Sequence, residues 1–119
     1  MRGTGPVLVV DDDPDLRGVL RELLEREGHP VVEAADGRRA LTAAAAHEPA
    51  LILLDARMPG MDAVAFVAAY RSGRTHPAPI VMMTGRVDAT AVARAAGADA
   101  LLTKPFGVDE VVALVQRLA

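Results

Sequence analysis

The 119-residue chain predicts an α/β protein built on a doubly wound, five-stranded parallel sheet. Three observations carry that expectation. Short unbroken runs of branched apolar residues recur at strand length, the mark of strands buried on both faces. Segments with apolar residues at helical spacing lie between them, and strict strand–helix alternation closes into a parallel sheet through right-handed crossovers. With 51% hydrophobic and 24% charged positions, the chain has the balance of one globular domain, residues 1–119, with a proper core.

Each element has its own justification. Val7-Leu8-Val9-Val10, after Pro6, is the first strand. Asp13-Pro14 reads as an N-cap followed by proline at the first helical position, and Leu16, Val19, Leu20, Leu23 and Leu24 mark a helix face until Gly28. Val31-Val32 is a short second strand, ending in a peripheral Glu33-Ala34-Ala35. Asp36-Gly37 is a turn, and an Ala-rich helix runs from about Arg38 to His47. Leu51-Ile52-Leu53-Leu54 is the third strand; a Pro59-Gly60 turn leads to a helix from Ala63 to Arg71. Ile80-Val81-Met82-Met83 is the fourth strand, followed by a helix at about Ala89 to Ala96 that Gly97 terminates. That helix offers mainly Ala89, Val92, Ala95 and Ala96 for packing, a small face that should hold it weakly. Ala100-Leu101-Leu102-Thr103 is the fifth strand, and Val108, Val111, Val112, Val115 and Leu118 mark the apolar face of the last helix.

Composition excludes several function classes. A formal net charge of −3 gives no bulk attraction to nucleic acid or anionic lipid, so direct nucleic-acid and membrane contact are not expected. The absence of cysteine removes disulfides and thiolate metal sites and suits a reducing compartment. No apolar run reaches membrane-spanning length, and the first residues lack a signal-peptide core, so a cytoplasmic protein is expected. His29, His47 and His76 form no metal-like cluster.

In such a sheet, ligands bind beyond the carboxyl ends of the strands. Asp11, Asp12 and Asp13 follow the first strand, Asp55 the third, Thr84 the fourth and Lys104 the fifth. Close carboxylates repel by about 4 kcal/mol per pair at an effective dielectric near 20, so a compensating cation is expected. Mg²⁺ suits the task because it prefers oxygen ligands, takes one or two carboxylates and keeps several waters. Asp12 and Asp55 offer direct ligands, and Asp11 support through water. Asp13 is better read as the helix cap. Lys104 adds a fixed charge and Thr84 a hydroxyl for a phosphoryl group, while a carboxylate such as Asp55 can itself be the nucleophile of phosphoryl transfer.

The ordered set "VVDDDPDLR", "LLDARMPGMD", "MMTG" and "LLTKPF" resembles the receiver domain of two-component response regulators over essentially the whole chain. The resemblance implies a flavodoxin-like (βα)5 sandwich of strand order 2-1-3-4-5, the arrangement for which a receiver is a standing illustration. It implies that Asp55 accepts a phosphoryl group from a sensor histidine kinase or histidine phosphotransfer protein, acting as a phosphorylation switch. Asp11 and Asp12 would serve Mg²⁺ with Asp55, and the Arg57 backbone carbonyl would be a further ligand. Thr84 would be the switch hydroxyl, Lys104 the phosphate-pairing lysine and Lys104-Pro105 a cis peptide.

The chain departs from the family pattern at several positions. Leu101 stands where receivers usually carry Tyr or Phe, so the aromatic lever is missing. Arg57 and Arg86 sit two residues beyond Asp55 and Thr84, where their guanidinium groups could pair with the phosphoryl group and slow its loss. The output is a domain or protein that the sequence does not identify, and the chain is either a stand-alone receiver or one excised from a longer regulator. Homodimerisation through the fourth and fifth units would draw on Arg94, Asp99, Asp109, Glu110 and Arg117. Two other readings stand beside this one. One is a phosphorylation-independent receiver-like binding module, which the missing aromatic favours. The other is a small Mg²⁺-dependent phosphatase with an aspartyl nucleophile, against which the chain has no room for a cap. A receiver would not be an enzyme beyond its own phosphorylation and dephosphorylation.

Overall fold

The computed structural model describes residues 5–58, 60–85, 93–94 and 96–119. Strands β1 (Val7–Val10), β2 (Val31–Ala34), β3 (Leu51–Asp55), β4 (Ile80–Thr84) and β5 (Ala100–Thr103) form one sheet in the order β2-β1-β3-β4-β5. All its pairings are parallel, and β1 is in register with both neighbours, Val7 facing Val31 on one side and Leu51 on the other. Helices α1 (Pro14–Arg26), α2 (Gly37–His47), α3 (Ala63–Arg71) and α4 (Val108–Leu118) cover it.

Strand alternation sorts the core into two layers. Leu8, Val10, Ile52, Leu54, Ile80 and Met82 pack with Ala40 and Ala44 of α2 and with Phe66, Val67 and Tyr70 of α3. The intervening residues Val7, Val9, Leu51, Leu53, Val81 and Met83 pack with Leu20 and Leu24 of α1 and Val111 and Val115 of α4. This is why the strands read as unbroken apolar runs, since each face of the sheet has its own helical cover.

The element boundaries obey local chemistry. Asp13 caps α1 by accepting the Asp15 N–H, and Pro14 opens the helix, as its fixed φ allows. Gly28 closes it at φ 87, with the His29 N–H bonded back to the Leu24 carbonyl. Gly97, at φ 79, closes the turn after Ala93 and Arg94 in the same manner, with the Ala98 N–H on the Ala93 carbonyl. Most of the helix expected at about Ala89 to Ala96 lies outside the described residues; of its expected packing face, Ala96 is described and is buried.

Several expectations need correction. The second strand extends through Ala34, because Glu33 pairs with Val9 in the ladder while its carboxylate is neutralised by arginines of α1. Asp36 is the N-cap of α2 and Gly37 its first residue; a Cβ on Gly37 would stand 2.9 Å from the Met61 Sδ that lies against it. Val19 and Val108 are 61% and 59% exposed and belong to no buried face. Leu114, rather than Val108, joins Val111, Val115 and Leu118 in the packing of α4.

Candidate functional site

The parallel strands deliver Asp11, Asp55, Thr84 and Lys104 to one end of the sheet. Asp11 follows β1, Asp55 and Thr84 are the last residues of β3 and β4, and Lys104 follows β5. With Asp12, Asp13, Arg57 and Gly85 they line a cleft of about 500 Å³. Asp11, Asp55 and Thr84 are buried, whereas Asp12 is exposed at the rim.

Lys104 bridges two of the carboxylates, its Nζ lying 3.2 Å from Asp11 Oδ2 and 3.5 Å from Asp55 Oδ1. The strand ends place it there, since the Lys104 N–H donates to the Thr84 carbonyl at 2.7 Å and continues the β4–β5 pairing. The Lys104–Pro105 peptide is cis. Asp55 Oδ1 also accepts the Arg57 N–H at 3.1 Å, and Asp11 Oδ1 accepts the Asp13 N–H at 2.9 Å. Burial pushes the Asp55 carboxyl above its ordinary value, against the opposing Arg57 N–H, with Asp11 adding to the rise, Lys104 countering it and Asp12 adding to it.

Carboxylate oxygens of Asp11, Asp12 and Asp55 lie within 4.8 Å of one another. One lysine cannot neutralise three carboxylates. Hard anionic oxygens converging on one point are the donor set that a hard divalent cation takes, so this cluster could hold a metal ion. Among the described residues no buried side-chain nitrogen or oxygen lacks a hydrogen-bond partner, so the strain of the cluster is one of charge and not of unmet hydrogen bonds.

The sequence-predicted site residues therefore meet in one place, with two exceptions. Leu101 is not among the residues lining the cleft and is partly buried against the core layer that also holds Ala93 and Ala96. Arg86 lies outside the described residues. Sequence reasoning misses Arg17, whose Nη1 donates to the Asp11 carbonyl at 2.7 Å, and takes Glu33 as peripheral although it anchors that arginine at 3.1 Å. The spacing of Arg17 and Arg21, one helical turn apart beside the second strand, is the signal that could have found them.

A chain with this sheet order and a lysine-bridged acidic cluster at its carboxyl edge belongs to the receiver domain family of response regulators, whose family model matches residues 7–116. It is 39% identical over 109 residues to the transcriptional regulatory protein KdpE of Mycobacterium tuberculosis, covering 90% of this chain and 47% of that protein. It is 40% identical to the DNA-binding transcriptional regulator NtrC of Salmonella typhimurium, covering 95% of this chain and 24% of that one. The chain thus spans about half or less of the length of these curated relatives. Among solved structures it is similar to the Vibrio cholerae chemotaxis protein CheY4, at TM-score 0.86 and 32% identity, covering 98% of this chain and 100% of that one. The flavodoxin-like fold expected from the resemblance is the fold observed. Among the described residues no helix is long and apolar enough to cross a membrane.

Proposed function

We propose that the chain is a phosphorylation switch in which Asp55 accepts a phosphoryl group from a phosphohistidine on a sensor histidine kinase or phosphotransfer protein. The observation that carries this reading is the placement of Lys104 Nζ between Asp11 and Asp55, beside Asp12, at the ends of β1, β3 and β5. Asp11, Asp12, Asp55 and the Arg57 carbonyl would hold Mg²⁺, which when bound supplies neutralisation of the carboxylates and of the incoming phosphoryl oxygens. An Asp55 carboxylate oxygen forms the new bond to phosphorus as the phosphorus–nitrogen bond breaks, and the imidazole departs with that electron pair. Lys104 pairs with the phosphoryl oxygens, and the Thr84 hydroxyl donates to one of them. The Arg57 and Arg86 side chains, in this reading, lengthen the life of the acyl phosphate by pairing with it.

Those contacts bias the fourth and fifth units. A change from 1:99 to 99:1 in a two-state equilibrium needs about 5.5 kcal/mol of differential interaction. With Leu101 partly buried against the core and no aromatic ring in its place, the switch runs through backbone and helix contacts and not through a ring rotation. The chain would act as one domain in the cytoplasm, turn over nothing beyond its own phosphate, and pass its state to an output domain or protein. The KdpE and NtrC names point to transcription as that output, so net charge argues only about the surface of this chain and not about DNA contact by a whole regulator. A homodimer through the fourth and fifth units would draw on Arg94, Asp109 and Arg117, because Asp99 already engages Arg71 and Glu110 accepts the Gly107 N–H.

The test is intact mass after incubation with Mg²⁺ and acetyl phosphate, beside Asp55→Asn. The expected result is one phosphate adduct on the wild type, lost in the variant and in EDTA. An equal adduct on Asp55→Asn would overturn the reading.

A further inference from the structure

Asp12 poses a mechanical problem. It is exposed at the cleft rim, so packing does little to fix its carboxylate, yet it must meet Asp11 and Asp55 at one point. What can fix it is the peptide plane that joins it to Asp11. That plane is set by the Asp11 carbonyl, which accepts Arg17 Nη1 at 2.7 Å, while the Asp11 N–H on the other side is held by the Ala34 carbonyl at 3.1 Å.

The arginine is itself held. Its Nε lies 3.1 Å from Glu33 Oε1 on β2, its side chain is 17% exposed, and Glu33 Oε2 accepts Arg21 Nη1 at 2.9 Å. Glu33 thus ties two successive turns of α1 to the edge strand. The geometry needs a fork, since one guanidinium edge faces Glu33 and another nitrogen faces the carbonyl; a lysine ammonium offers a single point.

We infer that Arg17 is a positioning residue for the acidic cluster, orienting the Asp11–Asp12 peptide so that Asp12 reaches the cation shared with Asp11 and Asp55. The inference rests on the proposed reading of that cluster as the Mg²⁺ site. It also has a sign that electrostatics alone would reverse. A positive charge beside three carboxylates competes with a bound cation, so a purely electrostatic Arg17 would weaken metal binding and its removal would tighten it.

The experiment is calorimetric titration of the whole chain with Mg²⁺, with thermal unfolding recorded in EDTA and in saturating Mg²⁺. Arg17→Ala and Arg17→Lys should each raise the Mg²⁺ dissociation constant by about tenfold, as loss of an outer-shell partner does. Arg21→Ala, which leaves the Arg17 contact in place, should stay within about twofold of wild type, the scale of an exposed ion pair. The rise in unfolding temperature on adding Mg²⁺ should shrink in both Arg17 variants and not in Arg21→Ala. Unchanged or tighter binding in Arg17→Ala, or wild-type binding in Arg17→Lys, would overturn the inference. So would equal losses in the Arg17 and Arg21 variants that merely track their stability in EDTA. If the wild-type chain bound no Mg²⁺, the reading of the cluster would fail before the comparison arose, a result distinct from failure of Arg17 alone.

Discussion

The two ends of the sheet handle aspartate in opposite ways. At the amino end, Asp99 accepts the Ile80 N–H at 2.8 Å and Arg71 Nη2 at 3.0 Å, and Arg71 Nη1 reaches the Gly97 carbonyl at 2.7 Å. One carboxylate has its own cation and an amide. At the carboxyl end, three carboxylates crowd around one lysine, which lies 3.2 Å from Asp11 and 3.5 Å from Asp55, and burial lifts the Asp55 carboxyl above its ordinary value. The first arrangement pairs its carboxylate; the second gathers three carboxylates for one lysine.

Removing a carboxylate from each end should therefore have opposite effects. The largest is expected at the amino end, where Asp99→Ala deprives the Ile80 N–H of its acceptor and Arg71 of its partner. Urea unfolding should show a loss of about 1 to 2 kcal/mol, while phosphorylation by acetyl phosphate is unchanged. A gain in stability there would break the comparison.

Asp55→Asn should do the reverse without metal, raising the unfolding temperature at neutral pH. The sign comes from the raised carboxyl: its contribution is fully present below the unfolded value and is lost as pH rises through the folded one. At neutral pH the ionised Asp55 therefore costs stability that asparagine does not. The advantage of Asp55→Asn should fade as the medium is acidified through the Asp55 titration, and a pH series of melts in EDTA would check it.

Mg²⁺ should narrow or reverse that order. At ten times its dissociation constant a bound ligand adds about 1.4 kcal/mol to the wild type by linkage, and less to a variant that has lost a ligand. Melts of both proteins across a Mg²⁺ series measure the difference. The smallest effect belongs to the Arg26–Glu22 pair, which at 2.9 Å is no longer than the 3.0 Å Arg71–Asp99 pair but is 72% and 71% exposed. Arg26→Ala should cost less than about 0.5 kcal/mol, separating the worth of burial and shared backbone partners from that of distance alone.

How much of this is legible in the sequence depends on what each residue touches. The strands are legible because both faces are covered, and the cleft because parallel strands bring Asp11, Asp55, Thr84 and Lys104 to one edge whatever the details of packing. Glu33 misleads because a charged residue on an edge strand breaks an apolar run without ending the ladder. Val19 and Val108 mislead because spacing alone does not say where the apolar arc of a short helix stops. Arg17 escapes because its partner is a backbone carbonyl, which every residue has and no motif records.

Among the clustered carboxylates, Asp55 is the one proposed to carry phosphate. Borohydride reduction of the acetyl phosphate-treated protein, followed by peptide mapping, tests it directly, because an acyl phosphate is reduced to an alcohol where it stands. Conversion of Asp55 to homoserine, with Asp11 and Asp12 intact, is the result expected. Conversion at Asp11 or Asp12 with Asp55 unchanged would contradict the account.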